Sequence, residues 1–227
     1  MKFKTLLFDV DDTLLDFQLA EKKALKALFE EENISLTATI EATYKKINHQ
    51  LWSDFEIGKI GKEVVIDTRF KRLFEELGRD VDGKKMDEKY RYHLSRGHDL
   101  LGNSKQIIEE LQPHYDLYIV TNGVAETQYP RLEASKLLPL FKDTFVSEEV
   151  GYQKPMKEYF DYVFERIPNF EPEKTLIVGD SLTSDIKGGN MAKIKTAWLN
   201  PKKLAAIEGI QPDYTMTKLE DIFSILH

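Results

Sequence analysis

The sequence predicts an α/β fold, an open parallel sheet with a helical cap inserted after the first strand. Three observations carry this. Short continuous apolar runs recur along the chain, and helix-length segments separate those of its C-terminal part. Between about Asp16 and Gly97 the alternation stops and only helical patterns remain. A strand covered on both faces reads as an unbroken apolar run, and strands alternating with helices mark βαβ units.

Taken in order, Thr5-Leu6-Leu7-Phe8-Asp9-Val10 is the first predicted strand. The inserted region predicts amphipathic helices over Gln18–Glu32, with Leu25, Leu28 and Phe29 on one side, over Thr39–Phe55, and over Lys62–Leu77, with Val65, Phe70, Leu73, Phe74 and Leu77 apolar. The alternation then resumes. Predicted strands are Leu117–Thr121, Thr144–Ser147, Thr175–Gly179, Thr196–Leu199 and a weaker Asp213–Met216. Predicted helices are Ser104–Gln112, Glu126–Leu137, Lys157–Arg166 and Ser184–Ala192. The expected division is residues 1–15 and 98–227 as an α/β core, with 16–97 as a helical cap domain. No Ser/Gly linker or repeat separates the two.

The 227 residues suffice for one substantial domain or a core with a smaller insertion. With 41% hydrophobic residues the chain can build a core. A net charge of −7 argues against a nucleic-acid polymer as partner, but not against a small phosphorylated molecule. The absence of cysteine excludes disulfides, thiolate metal sites and a cysteine nucleophile, and suits a reducing cytoplasm. The apolar run near Met1 is short and interrupted by Asp9, so neither a signal peptide nor a membrane span is expected.

Four polar sites stand at predicted strand ends, where open α/β sheets hold their ligands. The first is Asp9-Val10-Asp11-Asp12-Thr13; alone, an Asp-x-Asp is a common accident, and an EF-hand fits worse because Thr13 and Leu14 stand where a third ligand and glycine belong. The second, Thr121-Asn122-Gly123, could be an ordinary strand-to-helix turn. The third, Lys154-Pro155, could be a solvated lysine before a helix-initiating proline. In the fourth, Gly179-Asp180-Ser181-Leu182-Thr183-Ser184-Asp185, Ser184 or Asp185 could simply cap a helix.

In this order the four sites resemble the motifs of the haloacid dehalogenase-like (HAD) hydrolase superfamily, along the whole chain. The resemblance implies a Rossmann-like core and a helical cap of the first type at Asp16–Gly97. It also implies Asp9 as nucleophile, Asp11 as acid/base, and Thr121 with neighbouring backbone N–H groups, including Asn122, as the cradle of the phosphoryl oxygens. Lys154 would neutralise charge. Asp9 and Asp180 would ligate a metal through side chains, Asp11 through its carbonyl, and Asp185 as a further ligand. The dehalogenating branch lacks the acid at the position of Asp11, so its presence here implies a phosphatase. Asp9 would form an aspartyl-phosphate and Asp11 would protonate the departing oxygen, then deprotonate water.

A carboxylate approaching a phosphate dianion meets a repulsion of about 4 kcal/mol per unit-charge pair at ~4 Å and an effective dielectric near ~20. Asp9, Asp11, Asp12, Asp180 and Asp185 would crowd one crevice, so a cation is needed, and Mg²⁺ with oxygen ligands is the expected cofactor.

Other features carry less. Gly58-Lys59-Ile60-Gly61-Lys62-Glu63 fails as a P-loop, since its glycines are too close and Glu63 replaces Ser/Thr. His49, His93, His98, His114 and His227 offer no metal-ligand spacing and are expected at the surface. In the insertion, Leu51, Trp52 and Phe55 read as an apolar stripe. The alternative is that Asn48, Trp52 or Phe55 faces the substrate, with an aromatic ring stacking on a planar leaving group. This segment, and Ser147–Pro155, is similar to the bacterial pyrimidine 5′-nucleotidase subgroup. That likeness implies a nucleoside 5′-monophosphate as substrate. A phosphosugar phosphatase, a phosphomutase and a non-catalytic regulatory module stay open as alternatives, as does the choice between monomer and homodimer.

Overall fold

The computed structural model describes residues 2–226; His227 lies outside the described residues. The described residues form a six-stranded sheet in the order β3-β2-β1-β4-β5-β6. The strands are β1 (Thr5–Phe8), β2 (Asp116–Thr121), β3 (Asp143–Val146), β4 (Thr175–Gly179), β5 (Lys195–Leu199) and β6 (Tyr214–Met216). Every pairing is parallel, with Phe8 opposite Ile119 on one side and Val178 on the other. Side chains alternate across the sheet. Leu6, Phe8, Ile119 and Val178 enter one apolar core, while Leu7, Tyr118, Val120 and Ile177 enter the other. This double burial is why the strands carry no polar/apolar alternation.

The helices are α1 (Phe17–Glu31), α2 (Ala38–Glu56), α3 (Lys62–Glu76), α4 (Gly83–Leu94), α5 (Ser104–Leu111), α6 (Ala125–Ala134), α7 (Ser147–Val150), α8 (Lys157–Arg166), α9 (Lys187–Met191) and α10 (Ile222–Leu226). None of the described helices is long and apolar enough to cross a membrane.

The elements follow the sequence reading closely, with informative departures. Strand β1 ends at Phe8, two residues early, because the Val10 carbonyl accepts from the N–H groups of Thr13, Leu14 and Leu15 and rolls the chain into a tight loop. Ser147, expected in β3, opens α7. The helix expected over Glu126–Leu137 stops at Ala134, since Lys136 adopts a left-handed conformation at φ 61. The helix expected over Ser184–Ala192 is preceded by a π-turn over Leu182–Ile186 and then runs as α9. Helix α4 has no counterpart in the sequence reading: it buries Gly83, Asp87, Tyr90 and Leu94, a helical spacing of mostly non-aliphatic residues.

The chain divides into two compact units. One contains the residues through Phe17 and from His98 onward; the other is Gln18–Gly97. In the first unit, the segments on either side of the insertion are tied together. Asp16 N–H donates to Asp99 O at 2.9 Å, Leu101 N–H to Leu14 O at 2.9 Å, and Leu15 and Leu100 form an antiparallel bridge.

The second unit is held by two kinds of contact. Tyr44 stacks on Phe70 and Phe29 on Phe74 within its apolar interior. Beside them runs a buried polar chain. Arg69 donates to Asp87 at 2.6 Å and to Asn48 at 3.2 Å, Asn48 donates to Glu21 at 3.3 Å, and Arg91 donates to the other Asp87 oxygen at 2.6 Å.

Candidate functional site

In the order β3-β2-β1-β4-β5-β6 the sequence of strands reverses between β1 and β4, and such a switch point opens a crevice at the strands' C-terminal ends. Asp9 follows β1 there and Asp180 follows β4, with Asp9 N–H donating to Val178 O at 2.9 Å. Asp12 takes the left-handed conformation at φ 54 that closes the loop, and its carboxylate accepts from Phe17 N–H at 3.1 Å, at the start of α1.

Lys154 is the centre of the site. It is 1% exposed, and its ammonium donates to Asp9 Oδ1 at 2.7 Å, Asp185 Oδ1 at 2.6 Å and Val120 O at 2.8 Å. Its backbone is braced by Asn122, whose side-chain amide donates to Lys154 O and accepts from Lys154 N–H, both at 2.9 Å. Asn122, expected among the phosphate contacts, thus has its amide engaged in placing the lysine. The bland reading of Lys154 as a solvated side chain is overturned, because its three donors are satisfied inside the protein.

Asp185 is wholly buried, and its second oxygen accepts from Ser181 N–H at 3.1 Å. Gly179 makes this possible: a Cβ there would lie 2.1 Å from Asp185 Oδ2. The π-turn carries Asp185, and Trp198 donates its indole N–H to Asp180 O at 2.8 Å from below the same loop.

Asp9, Asp180 and Asp185 can each present a carboxylate oxygen such that all three lie within 4.8 Å of one another. Burial, opposed by the Lys154 ammonium and reinforced by Asp185 and Asp11, pushes the Asp9 carboxyl up to about 7. Desolvation, with the charges of Asp9, Asp185 and Asp12, holds Asp180 well above the usual carboxylate range. Burial alone would discharge Lys154, but Asp185 and Asp9 outweigh it and hold the ammonium above the ordinary lysine value. With all three carboxyls ionised around one ammonium the excess is two negative charges, which is why Asp9 and Asp180 hold their protons so strongly without a cation. An all-oxygen donor set with that excess fits one hard divalent cation.

Asp11 is gripped by residues the sequence reading did not single out. Arg131 donates to Asp11 Oδ1 at 2.6 Å and Gln128 to Asp11 Oδ2 at 2.8 Å, both from α6. Gln128 also donates to Thr121 Oγ1 at 3.0 Å, so Thr121 and Asp11 are brought together through one amide. The available signal was their spacing three apart on a helix directly after Thr121-Asn122-Gly123.

Asn48 and Trp52 belong to the second unit. Asn48 is buried in that unit's polar chain between Glu21 and Arg69. Trp52 is half-buried, edge-on to Phe55 and packed with Leu51 and Val65, as the apolar-stripe reading has it. Of the histidines, His49, His98 and His114 are exposed, and His93 pairs with Glu31 at 2.8 Å.

A family described as haloacid dehalogenase-like hydrolase matches residues 6–199. The chain is 54% identical over 226 residues to the HAD-hydrolase YfnB of Bacillus subtilis, covering 100% of this chain and 96% of that protein. A crystal structure of that protein bound to magnesium, described as revealing interdomain movement, covers both chains fully with a TM-score of 0.96. The chain is also 39% identical over 227 residues to the pyrimidine 5′-nucleotidase PynA of Streptococcus pneumoniae, covering 100% of this chain and 96% of that one. It is 31% identical over 226 residues to the pyrimidine 5′-nucleotidase YjjG of Escherichia coli, covering 100% and 99%. With its sheet order, its strand-end aspartates and these relatives, the chain belongs to the haloacid dehalogenase-like hydrolase family.

Proposed function

We propose that the chain is a magnesium-dependent phosphatase that acts through an aspartyl-phosphate and hydrolyses nucleoside 5′-monophosphates. The observation that carries this is the Lys154 ammonium held between Asp9 and Asp185, beside Asp180 at the sheet's switch point. Relatives named as pyrimidine 5′-nucleotidases support the substrate class.

In this reading Asp9 attacks phosphorus in line with the leaving oxygen, which splits one displacement into two. Asp11 gives its proton to the departing alkoxide, then takes one from the water that attacks the aspartyl-phosphate. Thr121 donates its hydroxyl proton to a phosphoryl oxygen, and Lys154 supplies fixed positive charge beside the nucleophile. Bound Mg²⁺, held by Asp9, Asp180, Asp185 and the Asp11 carbonyl, would supply the charge that offsets repulsion between substrate dianion and carboxylates. Gln18–Gly97, inserted directly after the nucleophile loop, acts as a cap whose movement excludes water from the first step. The interdomain movement described for the B. subtilis relative supports that role.

The test is a panel of pyrimidine and purine 5′-monophosphates and sugar phosphates with MgCl₂. The reading expects free phosphate, fastest from nucleotides. Isomerised sugar phosphate without phosphate release would mean a mutase, and no turnover on any substrate would sink the enzyme reading.

A further inference from the structure

We propose that Gln128 and Arg131 are positioning residues that set the hydrogen-bond polarity of Thr121 and the orientation of Asp11, an inference resting on the phosphatase reading above. Both sit on α6, three residues apart, and each is 1% exposed. Arg131 donates to Asp11 Oδ1 at 2.6 Å and to Gln128 Oε1 at 2.8 Å. A guanidinium has donors only, so the Gln128 atom it meets must be the carbonyl oxygen. The amide therefore cannot flip, and its NH₂ is turned toward Asp11 Oδ2 and Thr121 Oγ1.

The consequence falls on Thr121. Its hydroxyl oxygen accepts from Gln128 Nε2 at 3.0 Å and from Gly123 N–H at 3.1 Å. A hydroxyl has two lone pairs and one proton. With both lone pairs engaged, Thr121 acts only as a donor, the role a phosphoryl oxygen requires. Asp11 is fixed by the same device, one carboxylate oxygen per donor, which defines its plane. Gly123 completes the arrangement, because a Cβ there would stand 2.4 Å from Gln128 Nε2 and push the amide away. Within the strand-to-helix turn this glycine serves close approach.

The experiment uses the full chain with MgCl₂, a nucleoside monophosphate as substrate and inorganic phosphate as competing ligand. Gln128→Met keeps the side-chain length and removes the amide. It is expected to lower kcat about 10- to 100-fold and to weaken inhibition by inorganic phosphate, since Thr121 is no longer locked as a donor. Gly123→Ala should reproduce both effects at smaller size. In an Asp11→Asn background the Gln128→Met loss in kcat should shrink, because the share acting through Asp11 is already gone, while the weakened phosphate inhibition, which acts through Thr121, should persist. Arg131→Lys, which keeps one donor, should recover more activity than Arg131→Met. Gln128→Met with kcat and phosphate inhibition both within about twofold of wild type would overturn the proposal, as would a loss fully multiplicative with Asp11→Asn. A wild-type chain that releases no phosphate would instead bring down the phosphatase reading, and this proposal with it.

Discussion

Replacing Lys154 by methionine tests the electrostatic centre of the site. The unbranched apolar stem is kept, but Asp9 Oδ1, Asp185 Oδ1 and Val120 O all lose their donor. Removing one partner of a buried, hydrogen-bonded ion pair costs about 3–5 kcal/mol. At about 2–4 °C per kcal/mol for a chain of this size, the α/β unit should melt about 6–20 °C lower in metal-free buffer. A Trp52→Phe background leaves Trp198 as the fluorescence reporter of that unit. With the carboxyls ionised around a bound cation the excess would be three negative charges in place of two, so MgCl₂ should raise the variant's melting temperature more than the wild type's. Phosphate release should fall at least ~100-fold, because a fixed charge beside the reacting group is lost. A variant that melts within about 2 °C of wild type and retains turnover within about tenfold would refute the reasoning.

Other substitutions probe separate parts. Asp9→Asn should abolish phosphate release while circular dichroism stays that of the wild type; turnover near wild type would remove Asp9 as nucleophile. Gly179→Ala forces a Cβ to within 2.1 Å of Asp185 Oδ2 and should weaken Mg²⁺ binding about 10- to 100-fold by calorimetry. In the helical unit, Arg69→Met strips donors from buried Asp87 and Asn48 and should destabilise that unit by about 3–5 kcal/mol in urea unfolding. The last concerns pH. Burial would raise the Asp213 carboxyl, but Lys195 and the N–H and hydroxyl of Thr196 outweigh it and hold it below the ordinary value. A depressed carboxylate stabilises the fold above its unfolded value, near ~3.9, and loses that contribution as pH falls through the folded value. Asp213→Asn should therefore narrow the stability gap between neutral and acid pH; an unchanged gap would count against it.

What the sequence made legible follows from how local each signal is. Strand β4 and helix α8 have the bounds read from the sequence, Thr175–Gly179 and Lys157–Arg166, because apolar runs and helical spacing are properties of consecutive residues. The strand-end aspartates were legible for a related reason: charged residues directly after buried strands have few structural roles. Helix α4 was missed because its inward positions include Asp87, whose burial is affordable only through Arg69 and Arg91. The grip on Asp11 was missed because Gln128 and Arg131 lie 117 and 120 residues away in the chain. No periodicity within α6 announces a partner at that distance. The role of the Asn122 side chain was not legible either, because its two-way pairing with the Lys154 backbone depends on a return of the chain 32 residues later.

The ties between Asp16 and Asp99, Leu15 and Leu100, and Leu14 and Leu101 act as a clasp closed by the α/β unit itself. The ends of the insertion are thus brought together whatever lies between them, and loop-closure entropy rises only slowly with the length enclosed. The 18–97 segment is therefore a replaceable cassette as far as the sheet is concerned. Its sequence can diverge, lengthen or be exchanged for another helical module while β1, β2 and β4 keep their register. The strand-end carboxylates and the helical segment are written in separable stretches of the chain, so selection can revise one without rewriting the other.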